Sequence, residues 1–166
     1  MLESWIINGI GDMLELRKNL DYIPLKTLNI RQEDSFKFKN FIEIMSKKVD
    51  YIVIDASPVL ELDDIFIECA DKIIVPTFLD EVTTKIGLNK IKAIMPNRTH
   101  HTRLERIYYS ELFSAFEHTN IILTVPIKHS AEIAKLINAG KTLWETKIKI
   151  LDPVRSEFKK VLEVIK

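Results

Sequence analysis

Cysteine is nearly missing from this chain: Cys69 stands alone among 166 residues. No internal disulfide can form, so the fold must rest on its core. Cys69 follows Phe66 and Ile67 with no activating base nearby in sequence, and reads as a buried structural thiol rather than a nucleophile. A chain without disulfides is most simply a cytoplasmic one. Glycine is almost as scarce, at four residues, which argues against a long flexible hinge. No apolar run approaches the length of a membrane span, so no membrane is expected among the partners. Met1 to Asp12 hold an apolar stretch with neither a basic start nor a small-residue cleavage site, so no signal peptide is expected. Repeats, low-complexity tracts and linkers are also lacking, and residues 1–166 read as a single domain.

What is present is ordinary for a globular protein. Apolar residues make up 46% and charged residues 29%, enough to bury a core in a chain of this length. The net charge of zero hides an asymmetry. Acidic residues outnumber basic ones 16 to 9 over residues 1–83, and basic outnumber acidic 15 to 8 over 84–166. Solvated helix faces account for this, and so would a surface that meets an anionic partner.

Short apolar runs alternate with helical patterns. Tyr51-Ile52-Val53-Ile54, Ile73-Ile74-Val75, Ala93-Ile94-Met95 and Ile121-Ile122-Leu123-Thr124-Val125 are short and mostly β-branched, as in strands buried on both faces. Pro76, Pro96 and Pro126 follow three of them and mark strand exits. Between them, Phe38, Phe41, Ile42 and Met45 keep helical spacing, as do Leu104, Ile107, Tyr108 and Leu112. Ser130 is a candidate cap for a helix through Ile133, Leu136 and Ile137 that stops at Gly140. Asp152-Pro153 opens a last helix with the stripe Val154, Phe158, Val161, Leu162 and Ile165. Residues 1–20 look helical, and Tyr22-Ile23-Pro24 looks like a short strand. The expected fold is α/β, with a mainly parallel sheet and helices on both faces.

Ligands of open parallel sheets bind at the carboxyl ends of the strands. Those ends are Asp55 to Pro58, Pro76 to Asp80, Asn97 with Arg98, and Pro126 to Ser130. Asp55 closes an apolar run, where a carboxylate can hold Mg²⁺ against a phosphate. It can equally cap a helix or bond a loop. His100-His101 lacks a third metal ligand nearby and reads as a solvated loop. His118 and His129 read as surface or capping residues, and Trp5 and Trp144 as packing groups.

Four segments in order carry a resemblance. Val49-Asp50-Tyr51-Ile52-Val53-Ile54-Asp55-Ala56-Ser57-Pro58 is similar to the Walker B region of the ParA/MinD-type partition ATPases. Ala70-Asp71-Lys72-Ile73-Ile74-Val75-Pro76-Thr77 resembles the family's next strand. Ile94-Met95-Pro96-Asn97-Arg98 resembles the strand that ends in an adenine-contacting asparagine. Val125-Pro126-Ile127-Lys128, with Ser130, Ile133 and Gly140-Lys141, resembles the segment that flanks the base. The resemblance runs from about residue 20 to the end. It implies a P-loop NTPase-like three-layer sandwich, with ATP and Mg²⁺ as the family's cofactors. By that resemblance Asp55 would act on Mg²⁺ as the Walker B acid. Pro58 would belong to the switch, Asn97 would bond adenine and Pro126 would pack near the base. Ser57 stands where the family has its first proline. The family also binds DNA non-specifically, which would use basic residues such as Arg98, Arg103, Arg106, Lys128 and Lys135.

One family feature is not there. No Gly-x-x-x-x-Gly-Lys-Ser/Thr occurs, and Gly140-Lys141-Thr142 follows a helix rather than a strand. Relative to the family, the first strand, its phosphate loop (Walker A) and the following helix are missing. Without amides and a lysine to cradle phosphates, ATP hydrolysis by the chain alone is not expected. The missing strand would lie beside the Asp55 strand and leave edges unpaired. The expectation is therefore a homo-oligomer, or a complex with a full-length ParA-like partner. Three alternatives remain open: an active partition ATPase whose phosphate loop comes from another chain, a receiver-like domain with Asp55 as phospho-acceptor, and a plain binding domain.

Overall fold

The structure is a computed structural model that describes residues 1–24, 35–56, 63–78 and 89–166. The chain gathers into two compact units, Met1–Ala70 and Asp71–Lys166.

In the first unit, α1 (Leu2–Asn8) stops at Gly9, which takes the left-handed conformation (φ 70°) and donates its N–H to the Trp5 carbonyl at 3.0 Å. That glycine ends the helix expected to reach residue 20. Beyond it, Leu14-Glu15-Leu16-Arg17 alternates apolar and polar residues, the strand period. It forms β1 (Leu14–Arg17), antiparallel to β2 (Leu20–Tyr22). The two-residue connection needs positive φ, and Asn19 supplies it at 64°.

Two further helices, α2 (Ser35–Ser46) and α3 (Asp63–Cys69), complete the unit. The helical spacing of α2 is confirmed by burial of Phe38, Phe41 and Met45. They form one core with Ile6, Ile65 and Phe66, and Trp5, Ile42, Ile54 and Cys69 lie partly buried against it. Phe38 and Phe66 meet edge to face at 5.3 Å, a favoured aromatic geometry.

The Tyr51–Ile54 run does not form the expected strand. Residues 51–56 carry no regular secondary structure, and Val53 is 89% exposed. An apolar run becomes a strand only where a neighbour takes up its backbone N–H and C=O groups. Among the described residues this run pairs with no strand.

The second unit holds a three-stranded parallel sheet in the order β3 (Ile73–Thr77), β4 (Ile91–Pro96), β5 (Ile122–Leu123). The α/β class with a parallel sheet is therefore present, with five strands among the described residues. Pro76 does not end its strand: it pairs with Met95, and β3 runs on to Thr77. Among the described residues β3 lies at an edge of this sheet, where proline's missing N–H removes no central ladder bond. Of the expected fifth strand only two residues pair as a strand, although the Thr124 N–H still reaches the Ile94 carbonyl at 3.0 Å.

Three helices accompany the sheet: α4 (Arg103–Phe116), α5 (Ala131–Asn138) and α6 (Asp152–Ile165). Val154, Phe158, Val161 and Ile165 of α6, with Ile133 of α5, pack on Ala93 and Met95. Leu162, counted in the same stripe by sequence, is exposed. Ile94 and Pro96 face the other way and are also buried, so β4 is enclosed on both sides.

Asp152 does not cap α6. Leu151 occupies that position, and the Asp152 carboxylate pairs with Arg155 one turn on. The Arg155 guanidinium also donates to the carbonyls of Leu143, Thr146 and Ile148, and so gathers the α5–α6 connection onto one side chain. Trp144, expected to pack, is half-exposed on that connection. No helix among the described residues is long and apolar enough to cross a membrane.

The Trp5 indole lies so close to Gly11 that a Cβ there would stand 2.7 Å from its Cδ1. Gly11→Ala should therefore displace a core aromatic and cost about 1–3 kcal/mol. A urea unfolding curve of the variant should show the lowered midpoint.

Candidate functional site

The carboxyl ends of β4 and β5 are laced together beyond the strands themselves. The Ile127 N–H donates to the Pro96 carbonyl (2.8 Å), Thr99 to Ile127 (3.1 Å) and His129 to Thr99 (3.2 Å). Thr99 and Lys128 form an isolated parallel bridge. The Asn97 N–H ties the same end to β3 through the Thr77 carbonyl at 2.8 Å. Parallel pairing thus delivers the two exit loops side by side, with Asn97, Arg98, Pro126 and Lys128 at one end of the sheet.

The β4 exit loop is sharply folded. Arg98 and His101 both take positive φ, 55° and 59°, a conformation disfavoured for side-chain-bearing residues. Its bends are held by hydrogen bonds. The Asn97 carboxamide oxygen accepts from the Arg98 N–H at 2.8 Å, so the amide NH₂ is the donor end of that side chain. Glu105, one turn into α4, accepts from the N–H groups of His100 (3.0 Å) and Thr102 (2.7 Å), while its own N–H donates to the Thr102 hydroxyl. This capping box satisfies the first turn of α4. The same two backbone donors, His100 first, hold the Glu105 carboxyl below its ordinary 4.5.

The β5 exit is held from α6. The buried Glu157 carboxylate accepts from the Val125 N–H (3.0 Å) and pairs with Lys160 (2.7 Å). Thr124 beside it is fully buried, and its hydroxyl finds no partner among the described residues. Between the loops and α4 lies an open hollow of about 150 Å³, lined by Thr99, His101, Glu105, Arg106, Tyr109 and Pro126. Burial, and secondarily the Glu157 charge, raise the Tyr109 hydroxyl above its ordinary 10.0.

The residues singled out by sequence divide into groups. Asn97, Arg98, Pro126 and Lys128 share the strand-end loops, and Pro126 lines the hollow. Arg103 and Arg106 stand exposed on the first turns of α4. Lys135, on α5, is paired with Glu132 at 2.7 Å. Asp55 belongs to the first unit, where it is exposed on the segment without regular structure. Ser57 and Pro58 lie outside the described residues.

Sequence reading missed two features here. His100 and His129, taken separately as a solvated loop and a surface residue, stack with ring centroids 5.8 Å apart. Glu157, on the last helix, was not singled out from the sequence at all. The pairing of the β4 and β5 exits brings the two histidines together, and the packing of α6 on the sheet brings Glu157 to Val125. Among the described residues no group of three His, Cys, Asp or Glu side chains could hold a metal.

Two outcomes follow from this geometry. Glu157→Ala strips the Val125 N–H of its acceptor and should cost about 1–3 kcal/mol in urea denaturation, while Glu157→Gln, which keeps an oxygen there, should recover most of it. The Glu105 contribution has the sign of a depressed carboxylate: present above 4.5 and lost as pH falls through its lowered folded value. The amide resonances of His100 and Thr102, followed by NMR in an acid titration, should move together with a midpoint below 4.5. Compared with family models, with curated proteins and with solved structures, the chain matches none.

Proposed function

We propose that this protein is a ParA/MinD-like partition module that acts by protein–protein contact and does not hydrolyse ATP alone. The observation that carries this reading is the combination of a parallel β3–β4–β5 sheet, with Asn97, Arg98, Pro126 and Lys128 at its carboxyl end, and a sequence without a phosphate-binding loop. The first half of that combination is where a P-loop NTPase-like sandwich keeps its base-side groups. The amide NH₂ of Asn97 is a donor that a heterocycle could use, and Pro126 offers an apolar wall in the hollow beside α4. The second half removes the donors that would hold triphosphate. Contacts to a base alone supply too little binding energy for tight retention of a nucleotide whose charge lies in its phosphates.

In this reading the protein works in the cytoplasm with a second copy or with a full-length ParA-like partner. Arg98, Arg103, Arg106 and Lys128 are exposed cations near one sheet end, with Lys135 on the adjoining helix. A duplex contact through them would be independent of sequence and would weaken steeply with salt. A second reading, an active ATPase completed by another chain's phosphate loop, keeps the same base-side residues and gives Asp55 its role on Mg²⁺.

Calorimetry with Mg²⁺ and ATP on the pure chain separates the two. The proposal expects no binding tighter than about 1 mM, and no change on Asp55→Ala. Micromolar binding that Asp55→Ala abolishes would overturn it, because phosphates would then be held by this chain's own groups.

A further inference from the structure

The open hollow between the strand-end loops and α4 has a surface that its residue names do not suggest. Thr99, His101, Glu105, Arg106 and Tyr109 are polar, and Pro126 joins them, yet the surface they turn to the hollow is almost wholly apolar. Polar side chains do this by laying carbon stems along a surface while their polar ends find water or a partner. The Thr99 N–H and hydroxyl both donate to the Ile127 carbonyl. Both Glu105 oxygens accept from the backbone N–H groups of His100 and Thr102. The volume is about 150 Å³, and an apolar cavity of about that size holds one benzene ring.

Charge of one sign surrounds this apolar spot. Residues 94–110 and 120–131 contain the two exit loops and the first two turns of α4. There Arg98, Arg103, Arg106 and Lys128 stand against one carboxylate, Glu105: four positive charges and one negative, a net of +3. All four cations are exposed, and none of them makes an ion pair among the described residues. The carboxylates that α5 and α6 bring toward the β5 exit, Glu132 and Glu157, are already paired with Lys135 and Lys160.

We propose that this hollow is a docking pocket for one aromatic side chain of an acidic segment on a partner protein. Charge complementarity supports that occupant. Carboxylates on either side of the ring would meet Arg98, Arg103 and Lys128, and the ring would meet the Arg106 guanidinium, a favoured cation–π pairing. The apolar lining supports it too. A nucleobase taken out of water must satisfy the donors and acceptors on its edge, and this lining offers almost no polar surface for them. A phenyl ring asks for none. A single nucleic-acid strand brings a ring with every nucleotide and is held on successive stacking platforms, whereas this hollow takes one ring. A duplex keeps its rings stacked inside. One aromatic anchor in a pocket, with charge at the rim, is also how protein interfaces concentrate their binding energy. The inference rests on the proposed function in taking a protein as the partner.

The probe is a fluorescein-labelled peptide with a single Phe between two runs of Glu. In dilute salt its anisotropy should report a Kd tighter than about 100 μM. Changing the Phe to Ala should weaken binding by about tenfold or more, and so should Arg106→Glu in the protein. Lys149→Glu makes the same charge change on the α5–α6 connection and should weaken it by less than about threefold. NMR on the unmodified chain gives an independent reading: the peptide should move the amides of Thr99, His101, Arg106 and Tyr109. No binding tighter than about 1 mM, equal binding of the Phe and Ala peptides, shifts confined to other residues, or tighter binding of oligothymidylate than of the peptide would overturn the proposal. If neither the peptide nor ATP binds, the pocket falls and the proposed function stands. If the peptide binds as described and ATP also binds at micromolar concentration, the reverse holds.

Discussion

Satisfaction of the β4 backbone is the constraint on which the second unit depends. This strand is paired with β3 on one side and β5 on the other, and both of its faces are buried. An interior parallel strand leaves no room for an unpaired peptide group and favours apolar side chains toward both layers. Ile91, Ala93, Ile94, Met95 and Pro96 meet that demand, with Lys92 only partly exposed among them. The helices then have fixed work: the α6 stripe covers the Ala93–Met95 face.

The loops beyond β4 inherit this rigidity. Because β5 is only two residues long, the pairing of its exit segment with the β4 exit continues through Pro96, Thr99, Ile127 and His129 rather than through a regular ladder. Two residues with positive φ are tolerated in the β4 loop because each bend is over-determined: Asn97 bonds the next N–H, and Glu105 takes two more. Glu157 performs the same service for Val125, whose successor, Pro126, has no N–H to offer. The candidate site is thus supported by carboxylates that look, on the helices, like surface charge.

The first unit answers a different problem with fewer means. Its core is a cluster of aromatic and aliphatic side chains from three short helices. Among its described residues no enclosed strand organises a sheet, and two segments with strand-like character, the hairpin and residues 51–56, remain outside that core in different ways. The hairpin is paired but uncovered. Residues 51–54 are apolar but pair with no strand among the described residues, and Ile54 of them packs against the core. Both cases show that an apolar pattern specifies a tendency to bury, while the neighbour that completes the burial must come from elsewhere.

By itself the sequence determined the elements whose signals are local. The spacing of Phe38, Phe41 and Met45 fixes the buried face of α2, Ser130 and Gly140 bracket α5, and the apolar runs at 73–75 and 93–95 become β3 and β4. It also located the carboxyl-end residues Asn97, Arg98, Pro126 and Lys128, because strand ends can be read from apolar runs. Only the tertiary structure decided the rest. Whether Tyr51–Ile54 forms a strand depends on a partner for its peptide groups, which no local pattern specifies. Pro76 could stay within β3 because that strand lies at an edge of the sheet among the described residues. Gly9 ended α1 early by taking a left-handed conformation, and the alternating residues after it could then turn back as a hairpin. The His100–His129 stack and the Glu157–Val125 bond join residues about thirty positions apart. Such contacts exist only once the parallel strands have set their loops side by side and α6 has packed on the sheet, because side-chain chemistry is local and proximity is not.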